Sequence, residues 1–182
     1  MDYTKKTILL GNGKACTIRR AEEADAELMV SYLKTVAGET PYLIREPEEI
    51  TVTPEKEREF IRQKSEAGGE LLLLAFVDGE LAGNCSVSAV SSNSRTRHRC
   101  AVAIALYQAF CGMGIGTVMM EELLAAAQAA GYEQAELEVV STNNPAISLY
   151  WKLGFAATGT MPQALKYQDG SYADLLFMLK NL

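Results

Sequence analysis

Three alternating glycines, Gly112, Gly114 and Gly116, stand directly before a long stretch of good helix formers that ends at Gly131. Glycine costs about 1 kcal/mol against alanine inside a helix. A run of it at a helix start therefore marks a place where the bare backbone is needed, for a turn or a close approach. The residues before the loop, Ala101 to Leu106, read as a strand, and "YEQAELEVV" after Gly131 returns to a period of two. A strand, a glycine loop, a helix and a second strand in that order make a crossover unit with parallel strands and a right-handed connection.

The rest of the chain supplies the sheet around that unit. "KTILL" and "KACTIRR" are short β runs about Asn12-Gly13, which is expected to supply the positive φ values of the turn. Ala24, Leu28, Met29, Tyr32, Leu33 and Val36 recur at helical spacing. A Pro- and Glu-rich connection follows, and then a second helix with Thr53 as cap, Pro54 in its first turn and Gly68-Gly69 as its stop. Two strands about Asp78-Gly79 lead into a third across "RTRHRCAVAIAL". A short helix has Pro145 near its start and Gly154 at its end, and two strands about Asp169-Gly170 close the chain. With no repeat and no long linker, the order predicts an α/β (α+β) mixed sheet in a single domain over 1–182, with 1–14 as an N-terminal extension or extra strand.

Charge narrows the function classes. A net charge of −6 and a pI near 4.9 argue against nucleic acid, whose phosphates dominate binding. An acidic chain will not attract anions from a distance, so any phosphate must be held by local geometry. No apolar run approaches the roughly 20 residues that span a bilayer, and "TILL" is too short for a signal peptide. A cytoplasmic protein with no membrane partner is expected. Cys16, Cys85, Cys100 and Cys111 lack C-x-x-C spacing and His98 is the sole histidine, so no metal is expected. Small buried thiols in a reducing compartment fit better.

Free N–H groups at a helix start, the helix dipole and adjacent glycines are machinery for holding phosphate. The P-loop pattern is excluded, because no lysine lies in the segment. The dinucleotide pattern G-x-G-x-x-G fails at its third glycine, which is Thr117 counted from Gly112 and Met119 counted from Gly114. Glu138 stands where a ribose ligand would, but five strands precede the loop, and that fingerprint normally follows the first strand of its domain. What remains is a phosphate cradle of another kind, or glycines that only turn the chain and pack a helix on a sheet.

"CGMGIGT" followed by "NNPAISLYWKLGF" resembles the GNAT superfamily of acetyl-CoA-dependent N-acetyltransferases. Family members carry R/Q-x-x-G-x-G/A at the loop and N-x-x-A-I-x-L-Y-x-K-x-G-F downstream. The second motif stands here as Asn143, Ala146, Ile147, Leu149, Tyr150, Lys152, Gly154 and Phe155. The resemblance covers the chain from about Ala15 onward and implies a mostly antiparallel sheet, splayed at the acetyl-CoA site and flanked by helices. By the same resemblance, Ile104, Ala105 and Leu106 would pair with pantetheine through their backbone. The Leu106 amide would steady the acetyl oxygen. Cys111, Gly112, Met113, Gly114, Ile115, Gly116 and Thr117 would cradle the pyrophosphate, and Asn143 would orient the cofactor arm. Tyr150 would protonate the departing thiolate after direct attack by an uncharged amine. The implied partners are acetyl-CoA and a primary amine of a small molecule or peptide, and a homodimer stays open. The alternative is a non-catalytic acyl-CoA-binding or regulatory module, which would not need Tyr150.

Two positions depart from the family pattern. Cys111 replaces the first Arg or Gln, and its thiol is either activated by the helix start or packed and inert. Ala101 stands where many relatives carry a glutamate base, which leaves the base unassigned. His98 is about 26 Å from Leu106 along an extended strand, too far to substitute. Arg95, Arg97 and Arg99 would alternate along one face at that same end. Glu46, Glu48, Glu49, Glu55, Glu57 and Glu59, with Tyr42 and Leu43, crowd the expected acceptor pocket, where acidity would favour a cationic amine. Trp151 fits the core or a dimer contact.

Overall fold

In a computed structural model, which describes residues 1–182, eight strands form one sheet. They are β1 (Lys6–Leu9), β2 (Ala15–Arg20), β3 (Leu71–Val77), β4 (Glu80–Ala89), β5 (Arg99–Leu106), β6 (Gln134–Val140), β7 (Ala156–Lys166) and β8 (Tyr172–Asn181). The four helices are α1 (Ala26–Glu39), α2 (Pro54–Glu66), α3 (Ile115–Ala129) and α4 (Asn144–Lys152). The sheet order is β1-β2-β3-β4-β5-β6-β8-β7, and the element order matches the sequence reading, residues 6–9 forming the extra strand.

Every neighbouring pair is antiparallel except β5 and β6, the two strands joined through α3. That pair holds over Arg99↔Gln134, Cys100↔Ala135 and Ala101↔Glu136 only. Beyond that the two strands run on without pairing to each other, β5 to Leu106 along β4 and β6 to Val140 along β8, so the sheet opens into a cleft at its centre.

Helices cover the two faces unequally. On one face Cys100, Val102, Leu137, Val139 and Met178 pack with Met119 and Leu123 of α3 and Ile147 and Tyr150 of α4. On the other, Met29, Tyr32 and Val36 of α1 and Ile61 of α2 pack over Leu72 and Leu74 of β3. Beyond α1 and α2 that second face opens into a cavity of about 590 Å³ over β5, β6 and β8.

The turns follow their residues, with two corrections. Asp78 and Gly79 both take positive φ, 51° and 89°, as a two-residue hairpin requires. At Asn12-Gly13 only the glycine does so (φ 81°), while Asn12 accepts the Lys14 amide at 3.0 Å through its side chain. Arg95 and Arg97 do not alternate along a strand. The Asn93 carbonyl accepts the Thr96 and Arg97 amides, turning the chain before Arg99 opens β5.

A short 3-10 turn over Glu23–Asp25 leads into α1 and is locked by Asp25. Its carboxylate accepts two Arg19 guanidinium hydrogen bonds at 2.7 Å each and the Glu22 amide at 2.8 Å. Burial alone would raise the Asp25 pKa, but the bonds from Arg19 and Glu22 outweigh it and the net shift is downward. Asp25→Ala is expected to cost about 2 kcal/mol of stability near neutral pH. Because the folded pKa lies below the unfolded one, this stabilisation is present above the ordinary carboxyl range and is lost as pH falls through the folded value. Thermal melts should therefore show the two proteins well apart at neutral pH and converging on strong acidification.

Candidate active site

The glycine loop ends in an exposed helix start. Gly112 and Gly114 take left-handed φ values of 77° and 83°, and Gly114 is the N-cap of α3 with no side chain capping it. The first-turn amides of Ile115, Gly116 and Thr117 have no acceptor within the helix. A Cβ at Gly112 or Gly114 would meet no atom within 4 Å, so the space over the loop is open. Ile115 is fully buried and can offer only its backbone, while Met113 packs partly on the core. Gly116 lies where three elements converge: a Cβ there would stand 3.4 Å from Leu149, 3.6 Å from Leu106 and 3.7 Å from Ile104.

The edge of β5 beside this loop has free backbone groups. The Val90 amide donates to the Arg99 carbonyl at 3.2 Å and the Tyr107 amide to that of Ala82 at 2.9 Å. Hydrogen-bonded pairs alternate along an antiparallel ladder. In the unbroken β4–β5 register, Ala101, Ala103 and Ala105 therefore face β4. Ile104 and Leu106 turn their N–H and C=O groups the other way, to the side where β6 has diverged. The Ala105 backbone is thus directed away from the cleft, contrary to the sequence expectation. Its carbonyl accepts the Tyr32 hydroxyl at 2.7 Å.

Across the cleft, α4 carries Asn143 and Tyr150. Asn143 is the N-cap, its side-chain oxygen accepting the Ala146 amide at 3.3 Å, and its NH2 is free for a ligand. Tyr150 is 6% exposed and packs edge-on against Phe155, and its hydroxyl makes no hydrogen bond to the protein. Burial pushes its pKa up to about 12. Trp151, by contrast, is 59% exposed and is not a core residue.

Cys111 differs from both sequence alternatives. It is exposed, unlike the other three cysteines, yet desolvation and the nearby Glu39 carboxylate raise its pKa. The thiol is therefore neither packed nor activated.

The second face holds residues that no motif marks. Ala101 and Ala103 line the 590 Å³ cavity with Arg99, Glu136, Glu138 and Phe177. Glu136 is tied to Arg99, whose Nε donates to it at 3.0 Å, while Glu138 makes neither an ion pair nor a hydrogen bond. A carboxylate thus reaches the space beside the alanines from the neighbouring strand; the alternation "AELEVV" puts Glu136 and Glu138 on one face but does not report which strand lies alongside. The glutamates of the α1–α2 connection and of the first turns of α2 do not act as one patch. Glu59 pairs with Arg62, Glu49 accepts the Glu46 amide, and Glu57 is buried. Tyr42 donates to the Thr142 carbonyl at 3.4 Å, pinning that connection to the start of α4, and Leu43 packs on the α1 core. His98 lies just before β5, at the end away from Leu106.

The model of the Acetyltransferase (GNAT) family matches residues 39–155. A Bacillus subtilis protein, provisionally named phosphinothricin acetyltransferase, is 28% identical over 167 residues, 91% of this chain and 99% of that one. The Escherichia coli L-amino acid N-acetyltransferase is 28% identical over 111 residues, 59% of this chain and 66% of its own. The crystal structure of a GNAT-family acetyltransferase from Streptococcus pneumoniae superposes with a TM-score of 0.87 at 29% identity, covering 92% of this chain and 99% of that one.

Proposed function

The chain belongs to the acetyltransferase (GNAT) family and is an acetyl-CoA-dependent N-acetyltransferase, and from that premise we propose that its acceptor is a small amino-acid-like amine entering from the β5–β6–β8 cavity. One observation carries the assignment of the reacting centre. Ile104 and Leu106 leave backbone groups unpaired directly beside the uncapped, glycine-lined start of α3. Together they offer a strand edge for the amides of pantetheine and free N–H groups for a pyrophosphate. Acetyl-CoA supplies the thioester. The Leu106 amide donates to the acetyl oxygen, and the first-turn amides of α3 hold the phosphates. The amine nitrogen bonds to the acetyl carbon and gives its proton to Glu138, directly or through water. The carbon–sulfur bond breaks, and Tyr150 provides the proton that the departing sulfur takes. Glu138 thereby fills the part that Ala101 cannot.

Two relatives, named as phosphinothricin and L-amino acid acetyltransferases, support an acceptor of this size. So does the cavity volume, within the range of small-molecule sites. We also propose a single domain over 1–182 working in the cytoplasm, consistent with four unpaired cysteines. No helix is long and apolar enough to cross a membrane.

The test is a mass-spectrometric screen of amines with acetyl-CoA. Acetylated amino acids or their analogues, with polyamines and peptides unmodified, are expected; turnover of polyamines alone would overturn the acceptor class. Glu138→Gln should lower kcat/KM for the amine by about tenfold or more, with the acetyl-CoA Kd unchanged. An unaltered kcat/KM would remove Glu138 from the reaction.

A further inference from the structure

Tyr32 sits on α1, on the far side of the sheet from the glycine loop, and is completely buried. Its hydroxyl lies 2.7 Å from the Ala105 carbonyl oxygen and 3.1 Å from the side-chain oxygen position of Asn84. A phenol has one proton to donate. The shorter contact takes it, so the Asn84 carboxamide satisfies the hydroxyl best by turning its NH2 toward it. The Tyr32 ring is held edge-on by Tyr107, with centroids 4.8 Å apart at 76°. Glycine at 83 lets β4 approach this point: a Cβ there would lie 2.4 Å from the Ala105 oxygen and 2.9 Å from the Leu106 Cα.

The consequence follows from peptide geometry. The Ala105 carbonyl and the Leu106 amide belong to one planar trans unit and point in opposite directions. The ladder already turns the Ala105 oxygen toward β4, and Tyr32 adds a second donor to it; fixing the oxygen there fixes the N–H on the cleft side. We propose that Tyr32, steadied by Asn84, is a positioning residue that aims the Leu106 amide at the acetyl carbonyl of the bound thioester. This rests on the reading of Leu106 as the donor to that oxygen. Burial also raises the Tyr32 pKa far above the ordinary phenol range, so the hydroxyl remains a donor throughout the working pH range. An amide aimed in advance does not have to reorganise as charge grows on the oxygen, and that is where such donors have their largest effect.

The readout is the infrared stretch of 13C-labelled acetyl thioester in its complex with the protein, without acceptor. In the wild type a downshift from the frequency in solution is expected. Tyr32→Phe should reverse most of it and lower kcat by about tenfold, less than outright loss of such a donor, while the acetyl-CoA Kd moves little. Asn84→Ala should move the band in the same direction. Tyr132→Phe is the control, since it deletes another buried hydroxyl bonded to a carbonyl, that of Gly69 at 2.8 Å, remote from the cleft; it should leave the band in place. A downshift that survives in Tyr32→Phe overturns the positioning role. No downshift in the wild type overturns the Leu106 reading itself, and the inference with it.

Discussion

Gly114→Glu abolishes acetyl-CoA binding in a protein that still folds: that is the largest single effect expected here. Two costs combine. Gly114 holds a φ of 83° at the N-cap of α3, and a residue with a Cβ in that region costs roughly 1–2 kcal/mol. The second cost falls on the ligand, because the carboxylate stands where the pyrophosphate must lie. Like charges brought together in a binding site cost several kcal/mol, so affinity should fall by about a thousandfold or more. Apart from the adjoining residues of the loop and helix, no protein atom lies within 4 Å of the new Cβ, so the side chain has room and the loss belongs to the ligand rather than to misfolding. Gly114→Ala separates the two costs, since it brings the strain without the charge. It should melt slightly earlier and bind within about tenfold of wild type. Calorimetric titration of the three proteins decides the matter. Normal binding by Gly114→Glu would sink the phosphate assignment of the loop.

The part of the site that depends on neighbouring residues was legible in the sequence. Strand, glycines and helix are contiguous from Ala101 to Ala129, and their meaning follows from backbone chemistry that residue type reveals. The second motif was equally local: Asn143 caps α4 and Tyr150 faces the core seven residues on. What depends on register between distant strands was not legible. Glu138 stands beside Ala101 and Ala103 because β6 pairs in parallel with the start of β5, and no spacing announces that alignment. Ala105 fell on the wrong side of its strand for the same reason: parity relative to β4 decides which backbone groups are free, and apolar alternation does not report it. Tyr32 read simply as a core position at helical spacing. Its hydroxyl finds its partner 73 residues away, across a packing contact that only the folded sheet creates. Cys111 was ambiguous because its pKa depends first on how far folding desolvates it and then on Glu39, brought close when that carboxylate accepts the Gln108 amide at 2.7 Å.

Tyr150→Phe should depress kcat by about a hundredfold, the lower range for a positioned acid, and leave the acetyl-CoA Kd within about twofold. The hydroxyl has no hydrogen-bond partner in the protein, so its removal orphans nothing, and the ring keeps its edge contact with Phe155. The pH dependence makes the test sharper. Burial pushes the Tyr150 pKa up to about 12, against about 10 for a free phenol. The group therefore keeps its proton through neutral and mildly alkaline conditions, and the ratio of wild-type to Y150F turnover should stay flat from about pH 6 to 9. The stability signature has a definite sign. A folded pKa above the unfolded one gives stability that is present below about pH 10 and lost as pH rises toward 12. The wild-type melting temperature should thus fall relative to Y150F across that interval. Equal turnover in the two proteins would remove the acid role. A turnover ratio that titrates near pH 8 would mean that Tyr150 ionises within the working range, which its burial beneath α4 opposes.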